Sequence, residues 1–277
     1  MKNLAIRIGT AAVLIPLVLL LIWMAPFWAW ALLMLAAAGM ATWELADFTQ
    51  PQGHLRERVV IVAASVAVCA TVCFAPAFAL AAVALGTIAL ATVFLLAFRD
   101  IETVAHRLAL GLSATLLVGL PVGLMGLVRT LPNGPAWVTL GLMATWLGDT
   151  GGYFFGKYLG RDGAKLYPAV SPNKTWMGAF GALVGAIGAA ALASAWYMRG
   201  AAHPLVVAAV ALPLAPAGVV GDLVESMCKR TFGVKDSGTL LPGHGGLLDR
   251  IDAVLFTAPV LYYLAAALAP WLQAHLR

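Results

Sequence analysis

Charge is what this sequence has least of. Of its 277 residues 12 are acidic and 17 basic, or 10% of the chain, and 62% are hydrophobic; soluble domains carry about a quarter charged residues. A soluble fold of this length has too little interior for so much apolar surface and would need far more charge outside. Cysteine is scarce as well. Cys69, Cys73 and Cys228 show no metal-ligand spacing, and the first two lie four apart in an apolar run as core packing, so a disulfide framework is excluded. No phosphate loop or dinucleotide fingerprint is present. The lack of an internal repeat argues against an inverted-repeat transporter. Ser226 lacks the His–Asp partners of a hydrolase triad. His54, His106, His203 and His275 are scattered near helix ends without ligand spacing.

What is present is a set of long uncharged windows at 8–43, 59–98, 108–128, 130–148, 175–198, 200–221 and 253–276. A spanning helix needs about 20 mostly apolar residues. The first two windows hold two short helices each, with turns near Pro26 and Pro76. The sequence therefore predicts an all-α polytopic integral membrane protein of nine transmembrane helices, near 8–24, 27–43, 59–74, 77–97, 108–128, 137–156, 176–197, 204–226 and 252–272. The first run is far longer than the core of a secretory signal and is expected to stay as a helix. With nine spans, only Arg129, Arg199 and Arg277 fall on one side, and the other 14 of the 17 basic residues fall on the N-terminal side. That asymmetry predicts a cytoplasmic N-terminus and an outside C-terminus. The net charge of +5 suits an anionic membrane surface and phosphate-bearing substrates rather than nucleic acid.

Composition divides the chain. Residues 1–130 are almost pure hydrocarbon helices, suited to packing, and 131–277 hold the polar stretches 145–175 and 221–252. The second stretch carries Asp222, Glu225, Ser226, Lys229, Arg230, Lys235, Asp236, His244, Gly245, Gly246, Asp249, Arg250 and Asp252. Asp222 lies well inside an apolar window, where a carboxylate is expensive unless it meets a cation or a wet cavity. Asp249 and Asp252 are three apart, on one face of a helix starting there. Carboxylates from two helix ends suit Mg²⁺, which takes oxygen ligands and shares substrate phosphates. The nearby Lys and Arg residues suit a triphosphate or its leaving group, and the glycines allow backbone N–H groups to approach phosphate oxygens. In the first stretch Asp149 is a second carboxylate within a span. Ser171, Lys174 and Thr175 offer hydroxyl and ammonium donors, and Gly148, Gly152, Gly156 and Gly160 recur every four residues as a close-packing face.

The run from Ser226 to Asp252 resembles the signature of the phosphatidate cytidylyltransferases (CDP-diacylglycerol synthases). The matching residues are Ser226, Lys229-Arg230, Lys235-Asp236, Pro242, His244-Gly245-Gly246 and Asp249-Arg250 with Asp252. Gly148-Asp149-Thr150 and Ser171-Pro172-Asn173-Lys174-Thr175 also resemble family motifs in order and spacing. Two departures are Met177, where the family commonly has an acidic residue, and Gly151, where it often has Ala.

The resemblance implies transfer of the cytidylyl group of CTP to phosphatidate, giving CDP-diacylglycerol and diphosphate. It also implies a divalent metal, here Mg²⁺, with a monovalent cation such as K⁺, and a homodimer in the bacterial inner membrane with a cytoplasm-facing polar cavity. By resemblance Asp222 and Asp249 hold the metal, with Asp252, Glu225 and Asp149 supporting it. Lys229, Arg230, Lys235 and Arg250 neutralise the phosphates. Asp149, Ser171, Lys174, Thr175, Ser226, Lys235, Asp236, His244, Gly245 and Gly246 form the substrate-binding set. His244 either donates to a phosphate or shapes the Gly-rich turn. The rival classes are a CTP-dependent lipid kinase, which attacks the γ-phosphorus, and a cation-coupled transporter, which would spread its carboxylates through the membrane depth.

Overall fold

The computed structural model describes residues 2–51, 53–97, 100–161, 163–240 and 245–275. Helices α1 (Lys2–Trp23), α2 (Phe27–Thr49), α3 (Leu55–Phe74) and α4 (Ala79–Ala97) lead into α5 (Ile101–Ala114) and α6 (Leu120–Val128). Then come α7 (Gly134–Tyr158), a hairpin of β1 (Lys165–Tyr167) and β2 (Ser171–Thr175), α8 (Trp176–Ala195), α9 (Pro204–Ala211), α10 (Leu214–Thr231), α11 (Leu248–Tyr263) and α12 (Ala269–His275). The expected breaks near Pro26 and Pro76 are present: Pro26 caps α2, and Pro76 opens a short 3₁₀ turn before α4. Helices α5 and α6 join through a widened π turn, Thr115–Gly119, and α11 and α12 through another, Leu264–Leu268. Each lies just before a proline, Pro121 or Pro270. A proline ring removes one N–H and collides with the carbonyl four residues back, and a widened turn relieves both faults.

Among the described residues seven helical runs are long and apolar enough to cross a bilayer: Phe27–Thr49, Leu55–Phe74, Pro76–Ala97, Ile101–Val128, Trp176–Ala195, Pro204–Thr231 and Leu248–Leu272. The chain is an all-α polytopic membrane protein. The other two expected spans correspond to α1, whose described apolar part is Ala12–Trp23, and α7, whose 25 residues include Asp149, Thr150 and Lys157.

The chain forms two compact units. The first comprises Met1–Leu127 and Thr231–Ile251, the second Val128–Arg230 and Asp252–Arg277. In the first unit α3 packs between α2, α4 and the α5–α6 run. Ile61, Ala64, Leu90, Phe94 and Ala114 form a continuous apolar core there. A Cβ on Gly119 or Gly123 would fall 2.5 Å from Ser65 O or 2.8 Å from the Val72 side chain. The α5–α6 backbone therefore lies directly on α3, as small residues permit within a membrane. Thr42 and Ser65 share a buried hydroxyl hydrogen bond of 2.7 Å between α2 and α3.

One end of this unit holds charges that the sequence places in loops. Helix α5 begins seven residues before the expected span, and this buries Arg107. Arg107 donates to Glu57 Oε2 at 2.7 Å, both side chains being only 2% exposed, and it also contacts the His54 ring. Arg58 pairs with Asp47 and donates to Gln50 O at 2.9 Å. Removing one partner from the buried Arg107–Glu57 pair would leave an uncompensated charge, which costs about 3–5 kcal/mol. This network ties the ends of α2, α3 and α5 together.

In the second unit α7 lies along α8. The four-residue glycine repeat does face α8 or its cap: a Cβ on Gly152 would sit 3.4 Å from Gly178 O, and one on Gly160 would sit 2.5 Å from Thr175 Oγ1. The tightest approaches, however, lie outside that repeat: a Cβ on Gly151 would sit 2.2 Å from Gly181 O, and one on Gly185 would sit 2.2 Å from Leu147 O.

Candidate active site

The β1–β2 hairpin pairs Lys165 with Thr175 and Tyr167 with Ser171. It delivers Lys174 to the end of α8, and Thr175 begins that helix as its N-cap. The Thr175 Oγ1 accepts from Gly178 N–H at 3.0 Å, and the residue is buried. A threonine there satisfies one of the N–H groups that a helix start leaves without a partner. Thr175 thus has a structural task, and Ser171 stands half-buried at the far end of the same strand.

Lys174 Nζ forms an ion pair with Asp222 Oδ2 from the middle of α10. Ser226, one turn on, has its hydroxyl 3.4 Å from Asp222 Oδ1. Asp252, half-buried on α11, lies near enough to Asp222 and to Asp149 of α7 to be acted on by both charges, with Lys229 opposing them. Lys229 in turn pairs with Glu225, and both are buried. Arg230 follows, exposed at the end of α10. Within this unit the expected residues Asp149, Lys174, Asp222, Ser226, Lys229 and Asp252 thus form one acidic–basic cluster, fed by α7, the hairpin, α10 and α11.

In the first unit Asp249 stands in the first turn of α11. Its Oδ2 accepts from Ser237 N–H at 2.9 Å, Ser237 Oγ at 3.0 Å and Gly246 N–H at 3.1 Å. The next layer leaves no mark in the residue spacing. Glu44 of α2, only 6% exposed, accepts Leu247 N–H on Oε1 at 2.9 Å and Leu248 N–H on Oε2 at 2.8 Å. The Ser237 hydroxyl also lies 3.0 Å from Glu44 Oε2. The first N–H groups of a helix have no internal partner, and its positive end favours carboxylates. Glu44 therefore caps α11 from a helix two hundred residues earlier. Gly245 adopts φ +81°, and a Cβ on Gly246 would lie 1.9 Å from Ser237 Oγ and 2.6 Å from Glu44 Oε2. These two glycines, expected to approach a phosphate, are required here by the turn itself. Lys235, Asp236 and Arg250 are exposed in the same unit. His244 falls outside the described residues, as do Pro242 and Gly243.

Among the described residues no three His, Cys, Asp or Glu side chains close around one point to hold a metal. The oxygen donors of Asp222, Asp252 and Asp149 nonetheless fit a hard cation, since neighbouring carboxylates partly out of water repel one another unless a cation intervenes. Mg²⁺ commonly keeps waters and substrate oxygens in its shell, so a partial protein set is what it needs.

The family model described as "Cytidylyltransferase family" matches residues 5–268. The chain belongs to the cytidylyltransferase family. Among the proteins similar to this chain, one named phosphatidate cytidylyltransferase from Staphylococcus aureus strain COL is 42% identical over 140 residues, 50% of this chain and 53% of that one. One of the same name from Staphylococcus epidermidis strain ATCC 12228 is 41% identical over 140 residues, again 50% and 53% of the two chains. One from Synechocystis sp. strain PCC 6803 is 38% identical over 174 residues, 60% of this chain and 58% of that one. The chain thus spans just over half the length of the curated relatives it matches.

Proposed function

We propose that this cytidylyltransferase acts on phosphatidate, using CTP to make CDP-diacylglycerol and diphosphate. The observation that carries this reading is the Asp222–Lys174 pair, with Asp222 on a membrane-spanning helix and Asp252 within the electrostatic reach of Asp222 and Asp149. Such a cluster suits a reaction between a lipid in the bilayer and a soluble polyphosphate. It is compact rather than spread along the helices, as a cation pathway would require.

In this mechanism a phosphatidate oxygen attacks the α-phosphorus of CTP, the bond from that phosphorus to the β-phosphate oxygen breaks, and diphosphate departs. The phosphatidate phosphate is already largely ionised near neutral pH, so no general base is needed. Asp222 and Asp249, with Asp252 in support, would hold Mg²⁺, which when bound neutralises the phosphate oxygens. Lys174 neutralises Asp222 in the structure; with Mg²⁺ held by that carboxylate, its ammonium would be available to the triphosphate. Lys229, Arg230, Lys235 and Arg250 stabilise the departing diphosphate, and positioning with charge stabilisation supplies most of the rate. A monovalent cation such as K⁺, a homodimer and a cytoplasm-facing site in the inner membrane complete the proposal.

The test uses purified protein in detergent–lipid micelles with phosphatidate, Mg²⁺ and CTP labelled at the α-phosphorus. Label is expected in the chloroform-extractable lipid and is expected to vanish with EDTA. Label entering lipid from γ-labelled CTP instead would establish the kinase and overturn the proposal. No label in lipid from well-folded protein would overturn phosphatidate as the acceptor.

A further inference from the structure

We propose that Glu44 and Ser237 are positioning residues for Asp249, fixing the orientation and charge with which that carboxylate meets the metal. This rests on the assignment of Asp249 to the metal site. Asp249 Oδ2 is committed to three donors, two of them on Ser237. Ser237, only 7% exposed, is therefore the main contact that fixes the Asp249 carboxyl. Glu44 in turn fixes the frame. It binds the two N–H groups that open α11 and meets the Ser237 hydroxyl, so the helix start and the loop before it have one anchor. There is no slack in that anchor: a Cβ on Gly238 would lie 2.8 Å from Glu44 Oε1, and one on Gly246 would lie 1.9 Å from Ser237 Oγ.

The hydroxyl has one proton and two acidic acceptors, each at 3.0 Å. It donates to Asp249 or to Glu44, not to both at full strength. A cation on Asp249 would draw charge from it and favour turning the hydroxyl toward Glu44, while the Ser237 and Gly246 N–H groups still hold Asp249 Oδ2 in place. Carboxylate ligands are commonly held by such outer partners, whose loss costs about 10–100-fold in metal affinity or activity. A contact that merely tethers the loop to α2 would change stability and leave cation affinity alone.

Glu44→Gln and Ser237→Ala separate these roles. The first is isosteric but turns an amide against a backbone donor, and the second deletes one hydroxyl. Mn²⁺ is titrated by electron paramagnetic resonance into the full-length protein in lipid nanodiscs with CTP and no phosphatidate. Turnover is measured separately. Both variants are expected to bind Mn²⁺ about 10-fold or more weakly, to lose kcat in proportion and to keep the KM for phosphatidate; excess Mn²⁺ restores turnover. Wild-type Mn²⁺ affinity in both variants would overturn the positioning role and leave the proposed reaction standing. Weakened Mn²⁺ binding beside a wild-type protein that makes no CDP-diacylglycerol would keep the positioning role and overturn the reaction. If the wild-type protein binds no Mn²⁺, the positioning role falls with the metal assignment.

Discussion

Asp222 and Glu44 are both carboxylates on apolar helices, and they answer the cost of that placement differently. Asp222 meets the ammonium of Lys174 and keeps about a third of its side chain exposed, at 38%. Glu44 is almost closed off, and among the described residues its hydrogen bonds come from two backbone N–H groups and one hydroxyl. Asp222→Asn keeps the size of the side chain but removes its charge. Turnover should fall by at least about 100-fold, the upper end of what outer-shell losses cause, with the melting temperature unchanged; initial rates and thermal unfolding in detergent check both. Gly246→Ala should act on stability. The added methyl would press on Ser237 and Glu44, and overpacking of this kind costs about 1–3 kcal/mol, to be read from thermal unfolding. Asp222 was legible in the sequence because it falls inside an expected span, 204–226. Glu44 was not, because it falls just past one, 27–43, where a charge reads as the edge of a helix. Its partners are main-chain groups far along the chain, and residue spacing carries no trace of them.

At the scale of elements, α7 and α8 show how far pattern goes. The glycine repeat announced a close-packed face, and that face exists, but the closest approaches pair Gly151 with Gly181 and Leu147 with Gly185. Periodicity on one helix says nothing of how its partner slides along it. The β1–β2 hairpin was not foreseen at all. Its strands are three and five residues long, and β2 contains Pro172, so neither alternation nor propensity marks them. The hairpin nevertheless sets Lys174 against α10 and places Thr175 at the start of α8. Thr175→Ala should cost about 1 kcal/mol through loss of the cap, whereas Thr175→Ser should cost little; thermal unfolding of the two variants distinguishes a cap from a substrate contact, which would lower turnover at equal stability. Helix α5 was expected to begin after Arg107. It begins at Ile101, because Asp100 caps it and Glu57 provides a buried partner for the guanidinium. The partner, not hydropathy, decides that boundary.

For the whole molecule, composition was enough to read a membrane protein, and the long uncharged windows made its spans helical. The side on which its loops lie rests on the basic residues, and this is open to direct measurement. In a Cys228→Ser background, Ala169→Cys on the hairpin turn should react with a membrane-impermeant maleimide only from the cytoplasmic face. Ala201→Cys, after α8, should react only from the opposite face. Reversed labelling would mean that the basic asymmetry has been misread. The cap that Glu44 supplies to α11 also has a consequence for biogenesis. A ribosome delivers α2 to the membrane long before residues 237–248 exist, so the carboxylate enters without the donors that later satisfy it. A lone acidic group at the centre of a span is penalised by about 2.5–3.5 kcal/mol, less toward the interface. Chains interrupted before that segment carry an unanswered charge in an early helix, a local mark by which an unfinished molecule differs from a finished one.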